Sequence, residues 1–383
     1  MQFPNDVQAA VLLSDPVSDL EGMVRDFIRV ADARHGIRFN VPESRPGVIY
    51  RLFGGDSVTV TFEAMAQPGN MAVFEQALGS AITGQLCPDV RERLAGHRAM
   101  ILVNVTHGVM GGVMRDPQFA GLFEQIGMRV EGASLPEFKQ RLELCALAAR
   151  IACDASHPVL VHWTQSNQLL KPEVFDAMAG MDVPGPLHVH PWLFGERAAP
   201  GEEQAIGLRT FGMRHFIGRE VVIEPHTLPW AANYDTVLAF LRVATVPNGY
   251  VIPDGDCFGP EDRSLSYKVL WRDAEDGDVP LCELVPLMHR EYGFVSPDYV
   301  SPENRIDDRA PPLELMPADD EEKMALVNDW REKRALAEGI GGSFEVKSAA
   351  GPPPAPPAPR DHGPPSISGT GLRARLFGGN RAA

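Results

Sequence analysis

Long apolar runs are missing from this chain. None approaches the roughly 18 residues that a membrane-spanning helix needs, so no transmembrane segment is expected. Cysteine is scarce: five occur in 383 residues, Cys87, Cys145, Cys153, Cys257 and Cys282, with no CxxC pair and no tight cluster. An odd, scattered set in a chain this long reads as small buried side chains in a reducing compartment, not as a disulfide framework. Basic residues are in deficit, 35 Lys and Arg against 51 Asp and Glu, for a net charge of −16. That field repels phosphate backbones and excludes nucleic acid as a main partner. Catalytic signatures are absent as well: there is no GxSxG elbow, no HExxH and no Cys in a nucleophile setting. "THGVMGGVMRD" is Gly-rich and follows a strand, yet it lacks the GxGxxG order and no P-loop Lys follows. The start, "MQFPNDVQAAVLL", has no basic n-region and no long apolar core, so a secretion signal is not expected there and the cytoplasm is.

What is present is alternation. "VQAAVLLS" (7–14) fits a buried strand, and the next segment puts Leu20, Met23, Val24, Phe27 and Val30 on one helical face with Gly36 as a stop. "GVIYRLFGGDSVTVTFEAMA" is two β-branched and aromatic runs around Gly54-Gly55-Asp56, a hairpin signal. A helical period in "NMAVFEQALGSAITGQL" and a strand in "HRAMILVNVTH" complete a β-α-β-β-α-β order over 7–107, the ferredoxin-like unit. Residues 108–134 read as a connector. "LPEFKQRLELCALAARIACDA" (135–155) is a helix with Leu142, Cys145, Ala149 and Ala152 near one face. From there to residue 295 the same element order recurs less cleanly, through strands at "PVLVHWTQ", "LHVHPWLF" and "GREVVIEP". The expectation is an α+β fold with two ferredoxin-like units in tandem, 1–107 and 135–295. Composition then shifts to a Pro-rich, acidic linker over 296–318 and one helix over 319–338, whose acidic first turn and late Lys333 and Arg334 suit the helix dipole. Residues 339–383 read as a disordered Pro-rich tail, with "GPPPAPPAPRDHGPP" as a semi-rigid spacer before a basic tip.

Three stretches, "VLVHWTQS", "LRTFGMRHFIGREVVIEP" and "VIPDGDCFG", in this order, resemble a bacterial uncharacterised family, domain of unknown function 4261. "AAVLLSDP", "GGDSVTVTFEAMAQP" and "GHRAMILVNV" are similar to that family's N-terminal half, so the resemblance spans about 7–295. It implies no activity, cofactor or catalytic residue. Similar proteins more often carry an aromatic residue where this chain has His162 and near His188, so it implies no family-wide metal site either.

Two constellations carry candidate chemistry. His188 and His190 stand at i and i+2, which on a strand projects both rings from one face, and His162 lies in a strand assigned to the same sheet. Three imidazoles can hold zinc or another divalent metal with one open position, with Glu220 or Glu224 as a base. The plainer reading makes them half-exposed strand residues beside Trp163 and Trp192, because no acid sits at a ligand spacing. Arg209, Arg214 and Arg219 form a local basic cluster shaped for a carboxylate or phosphate, or for the surplus acids around it. "DGDCFGPED" begins like a calcium loop but puts Phe258 and Leu265 where oxygen ligands belong, so Asp254-Gly255 is a turn. His97, His107 and His226, at segment edges, read as caps.

Two functions remain open on sequence. One is a non-enzymatic binding or regulatory module for a protein partner or small ligand, without a cofactor, whose basic C-terminal tip docks to an acidic surface. The alternative is a metal-dependent hydrolase built on His162, His188 and His190.

Overall fold

Runs of Val, Ile and Leu that alternate with smaller or polar residues bury one face by pairing side by side. In the computed structural model they pair into two sheets, and the fold is α+β. The structure describes residues 3–55, 58–108, 134–195, 204–247, 249–260, 264–274, 279–297 and 319–339, with positions 299 and 313. The tail from 340, most of the 108–134 connector and most of the 296–318 linker lie outside the described residues.

The first sheet has strands β1 (Asp6–Leu13), β2 (Asn40–Arg45), β3 (Ile49–Gly54), β4 (Val58–Met65), β5 (Ala99–His107), β6 (Leu160–Trp163) and β7 (Gln168–Leu170). Their order is β2-β3-β4-β5-β1-β6-β7, and every neighbouring pair is antiparallel. The second sheet has strands β8 (His190–Phe194), β9 (Ile206–Phe211), β10 (Glu220–His226), β11 (Cys257–Phe258), β12 (Leu265–Arg272), β13 (Leu281–His289) and β14 (Phe294–Val295). It runs β11-β12-β13-β10-β9-β8 with β14 on β13, and its β10–β13 pair is parallel. Nine α-helices occur among the described residues: α1 (Leu20–His35), α2 (Glu75–Leu78), α3 (Ala81–Leu86), α4 (Val90–Gly96), α5 (Leu135–Ser156), α6 (Pro172–Ala179), α7 (Arg214–Ile217), α8 (Trp230–Thr245) and α9 (Asp320–Gly339). None of them is long and apolar enough to cross a membrane.

Two compact units result. One comprises described residues within 2–193 and 210–215, the other those within 194–209 and 216–366. In the first, register puts Ala9, Val103, Phe62 and Trp163 on one face of the sheet. That face meets α1 and α5, with Phe27 edge-on to Phe62 at 5.4 Å. The opposite face carries Ala10, Leu12, Leu160 and Leu169 and packs on Phe74, Ala77, Cys87, Val90 and Leu94. Helical α1 buries Leu20, Met23, Val24 and Phe27 as its period requires, and Gly36 ends it at φ 65°, a left-handed turn that glycine adopts without a Cβ penalty. In the other unit, α8 lies against its sheet, with Phe240 edge-on to Phe258 at 5.3 Å.

The ferredoxin-like tandem is not confirmed. A third hairpin strand, β2, precedes β3, and a 3-10 turn (Met71–Phe74) followed by α2 and α3 stands where one helix was expected. In a ferredoxin-like sheet the hairpin would lie beside β1; here β5 lies between them. Helix α5 and strands β6 and β7, expected in the second unit, complete the first, because β6 pairs with β1 from Ala9↔Trp163 to Leu12↔Leu160. His162 is therefore on the first sheet and His190 on the second, not on one sheet as expected. Asp254-Gly255 forms the expected turn, with Gly255 at φ 82° and its N–H bonded to Val269 O.

Candidate functional site

The three histidines are all buried, not half-exposed, and each is engaged separately. His162 projects from β6 to the face covered by the short helices. There its ring meets Phe74 edge-on at 5.1 Å and its Nε2 lies 2.9 Å from Asn167 Oδ1. Asn167 in turn donates to Gln76 Oε1 at 2.9 Å. His188 is not on a strand. Its N–H bonds Gly185 O at 2.8 Å in a turn, and β8 begins only at His190, so the i, i+2 strand rule does not apply to the pair. The His188 ring stands edge-on to Trp163 at 5.4 Å, on the α5 face of the sheet. His190 reaches the N-terminus of α3, where its Nε2 is 2.8 Å from Ser80 Oγ. Among the described residues no group of three His, Cys, Asp or Glu is disposed to hold a metal ion.

The sequence folds this way because a short polar strap needs internal partners. Gln168 Nε2 donates to Ser166 Oγ (2.7 Å), Pro186 O (2.9 Å) and Leu187 O (2.9 Å), and Ser166 Oγ donates to Leu187 O at 2.6 Å. Those bonds hold residues 186–187 against the end of the first sheet and so aim the two following histidines. Gly212, at φ 102°, lets the backbone run against His188 O, a contact that a Cβ would block.

Ser80 and His190 have the spacing at which a base polarises a hydroxyl. Their surroundings oppose catalysis. Ser80 caps α3 by accepting from Thr83 N, and the residues are 4% and 2% exposed. Burial pushes the His190 and His188 rings down to about 3, and it lowers His162 too, against the Asn167 bond that favours its charged form. Burial thus favours the neutral form of all three rings. Two buried polar atoms here have no hydrogen-bond partner, Trp163 Nε1 and His188 Nδ1.

Arg219 stacks over Trp271 at 4.5 Å, donates to Arg272 O at 3.0 Å and pairs with Asp273 at 3.3 Å. It does what the surplus of acids suggests. Arg209 lies on β9, where its Nε is buried without a partner, and Arg214 opens α7. Sequence reasoning passed over Ser80 and Arg141. For Arg141 a signal existed: it lies three residues after Phe138 and four before Cys145, on the buried stripe of α5. Comparison with protein-family models, with curated proteins and with solved structures finds no match to the chain.

Proposed function

We propose that this chain is a non-catalytic binding or regulatory module of the bacterial cytoplasm, which engages a protein partner through its Pro-rich, basic C-terminal segment. The observation that carries this reading is the fate of His162, His188 and His190. Each is buried and spent on its own neighbour, Asn167, Trp163 and Ser80, which leaves no shared open face for chemistry. The free state of all five cysteines supports a reducing compartment. The resemblance to domain of unknown function 4261 belongs to the same reading and adds no activity to it. Residues 351–383 hold four Arg and one Asp in a chain of net charge −16, and a proline spacer precedes their basic-apolar end. A stiff arm with such an end suits an acidic groove. The test is affinity capture with the full chain and with a chain ending at 350, each competed with a synthetic 366–383 peptide. A partner retained by the full chain, released by the peptide and missed by the truncation is the expected result. Equal recovery by both chains overturns the reading.

A further inference from the structure

The first unit contains a guanidinium with no counter-ion among the described residues. Arg141, on the core stripe of α5, is 1% exposed. Its Nη2 donates to Pro4 O at 2.7 Å, its Nη1 lies 3.3 Å from His107 Nδ1, and its carbon sits 5.8 Å from the centre of the Phe138 ring. A guanidinium only donates, so in this contact His107 Nδ1 is the acceptor. The Arg141 Nε–H has no partner among the described residues. Near it, Asn5 Oδ1 is also buried without a partner, while the Asn5 carbonyl accepts from His107 N at 2.8 Å.

A buried charge is costly unless it is paired. The nearest acid along the helix is turned away: Glu137 accepts from Ser134 N (2.7 Å) and Ser134 Oγ (3.0 Å) in the capping box of α5. No carboxylate among the described residues forms an ion pair with Arg141. Burial lowers its pKa to about 10, with Glu137 and Asp6 acting in the other direction, so the side chain stays cationic at neutral pH. Three of its five N–H groups lack a partner among the described residues, in surroundings where a charge-assisted hydrogen bond is strong. His107, Asn5 and Pro4 beside it are only partly buried.

We propose that Arg141, with His107 and Asn5, forms a binding site for the carboxylate of a small molecule, seated against the Arg141 Nε–H. A single negative charge suits it better than a phosphate, because Glu137 and Asp6 lie close enough to act on Arg141 and would repel a dianion. Asn5 Oδ1 accepts a donor from the same ligand, which favours a hydroxy or amino acid over a plain fatty acid. None of Asn5, His107 and Arg141 belongs to the C-terminal segment, so the test of this site is independent of partner docking.

Sodium lactate, acetate, phosphate and chloride, titrated at matched ionic strength, test the site on the full chain. The expected result is a saturable rise in melting temperature with lactate, a weaker one with acetate, none with chloride, and loss of the rise in Arg141→Gln. Should that variant fail to fold, the wild-type protein answers the question by its arginine Nε–H resonances. One of them, absent in Arg141→Lys, will shift saturably with lactate and stay still with chloride. No saturable response to either carboxylate overturns the site, as does an equal response in Arg141→Gln. Phosphate binding more tightly than lactate overturns the carboxylate assignment.

Discussion

At the scale of single residues, the buried histidines make a dependence on pH that can be signed. His188 and His190 titrate at about 3 in the folded chain against 6.5 for the free side chain, because burial disfavours their charged form. Below 6.5 the unfolded chain takes up protons that the folded chain refuses, so stability is full above that pH and falls as pH drops toward the folded value. At pH 5 each such ring costs about 2 kcal/mol. Melting temperature will therefore fall steeply between pH 7 and pH 5, and His190→Gln will flatten the slope; an unchanged melting point across that range contradicts the neutral, buried assignment. The same geometry bears on metal. With the rings engaged singly, dialysed protein will carry no stoichiometric zinc, iron or manganese, and elemental analysis showing one equivalent, lost in His190→Ala, would return the hydrolase reading. Ser80→Ala removes a helix cap worth about 1 kcal/mol and strands the His190 nitrogen at about 1–3 kcal/mol more. Denaturant unfolding will show a loss of about 2–4 kcal/mol, whereas a loss within about 0.5 kcal/mol would mean the pair holds nothing.

At the scale of elements, what was legible depended on whether the signal was local. Helix α1, its glycine stop and strands β1, β4 and β5 follow from periods that a few residues carry. Strand β2, "NVPESR", was not legible: it is exposed along its whole length and contains Pro42, so it shows neither alternation nor β-propensity. Such a strand forms because β3 offers it an edge, and proline on it discourages further pairing. The site failed for a related reason. His188 and His190 were placed by a strand period that Gly185 interrupts, and the Ser80 partner lies 110 residues away. In the second unit a buried amide joins a helix to its sheet. Asn233 of α8 accepts from Tyr267 OH at 3.0 Å and lies 3.1 Å from His226 Nε2, whose Nδ1 accepts from Leu228 N at 3.0 Å. Asn233→Leu keeps the shape and strands both partners, so it will cost about 2–4 kcal/mol in denaturant unfolding. Tyr267→Phe added to it will cost much less than Tyr267→Phe alone. Full additivity of the two losses would show that the amide does not couple them.

At the scale of the whole molecule, the extent of the first unit was not legible. The first unit runs to residue 193 because β6 finds β1, a pairing of about 150 residues' separation that no local pattern announces. Charge, by contrast, is legible in full. Four Arg and one Asp give residues 351–383 a charge of +3 on a chain of −16. Its end carries Leu372, Leu376 and Phe377 beside Arg373 and Arg375. Docking that rests on three net charges is screened by salt, since the Debye length shrinks from about 10 Å at 0.1 M to about 3 Å at 1 M. A membrane surface is the weaker destination, because each basic residue there contributes only about 1 kcal/mol. Deletion of 366–383 will leave the melting temperature unchanged while weakening partner association several-fold, and the full chain's association will weaken toward the same level as salt rises. Calorimetry and a binding titration at two salt concentrations measure both effects. Association that survives the deletion, or that ignores salt, would place the recognition surface on the folded units instead.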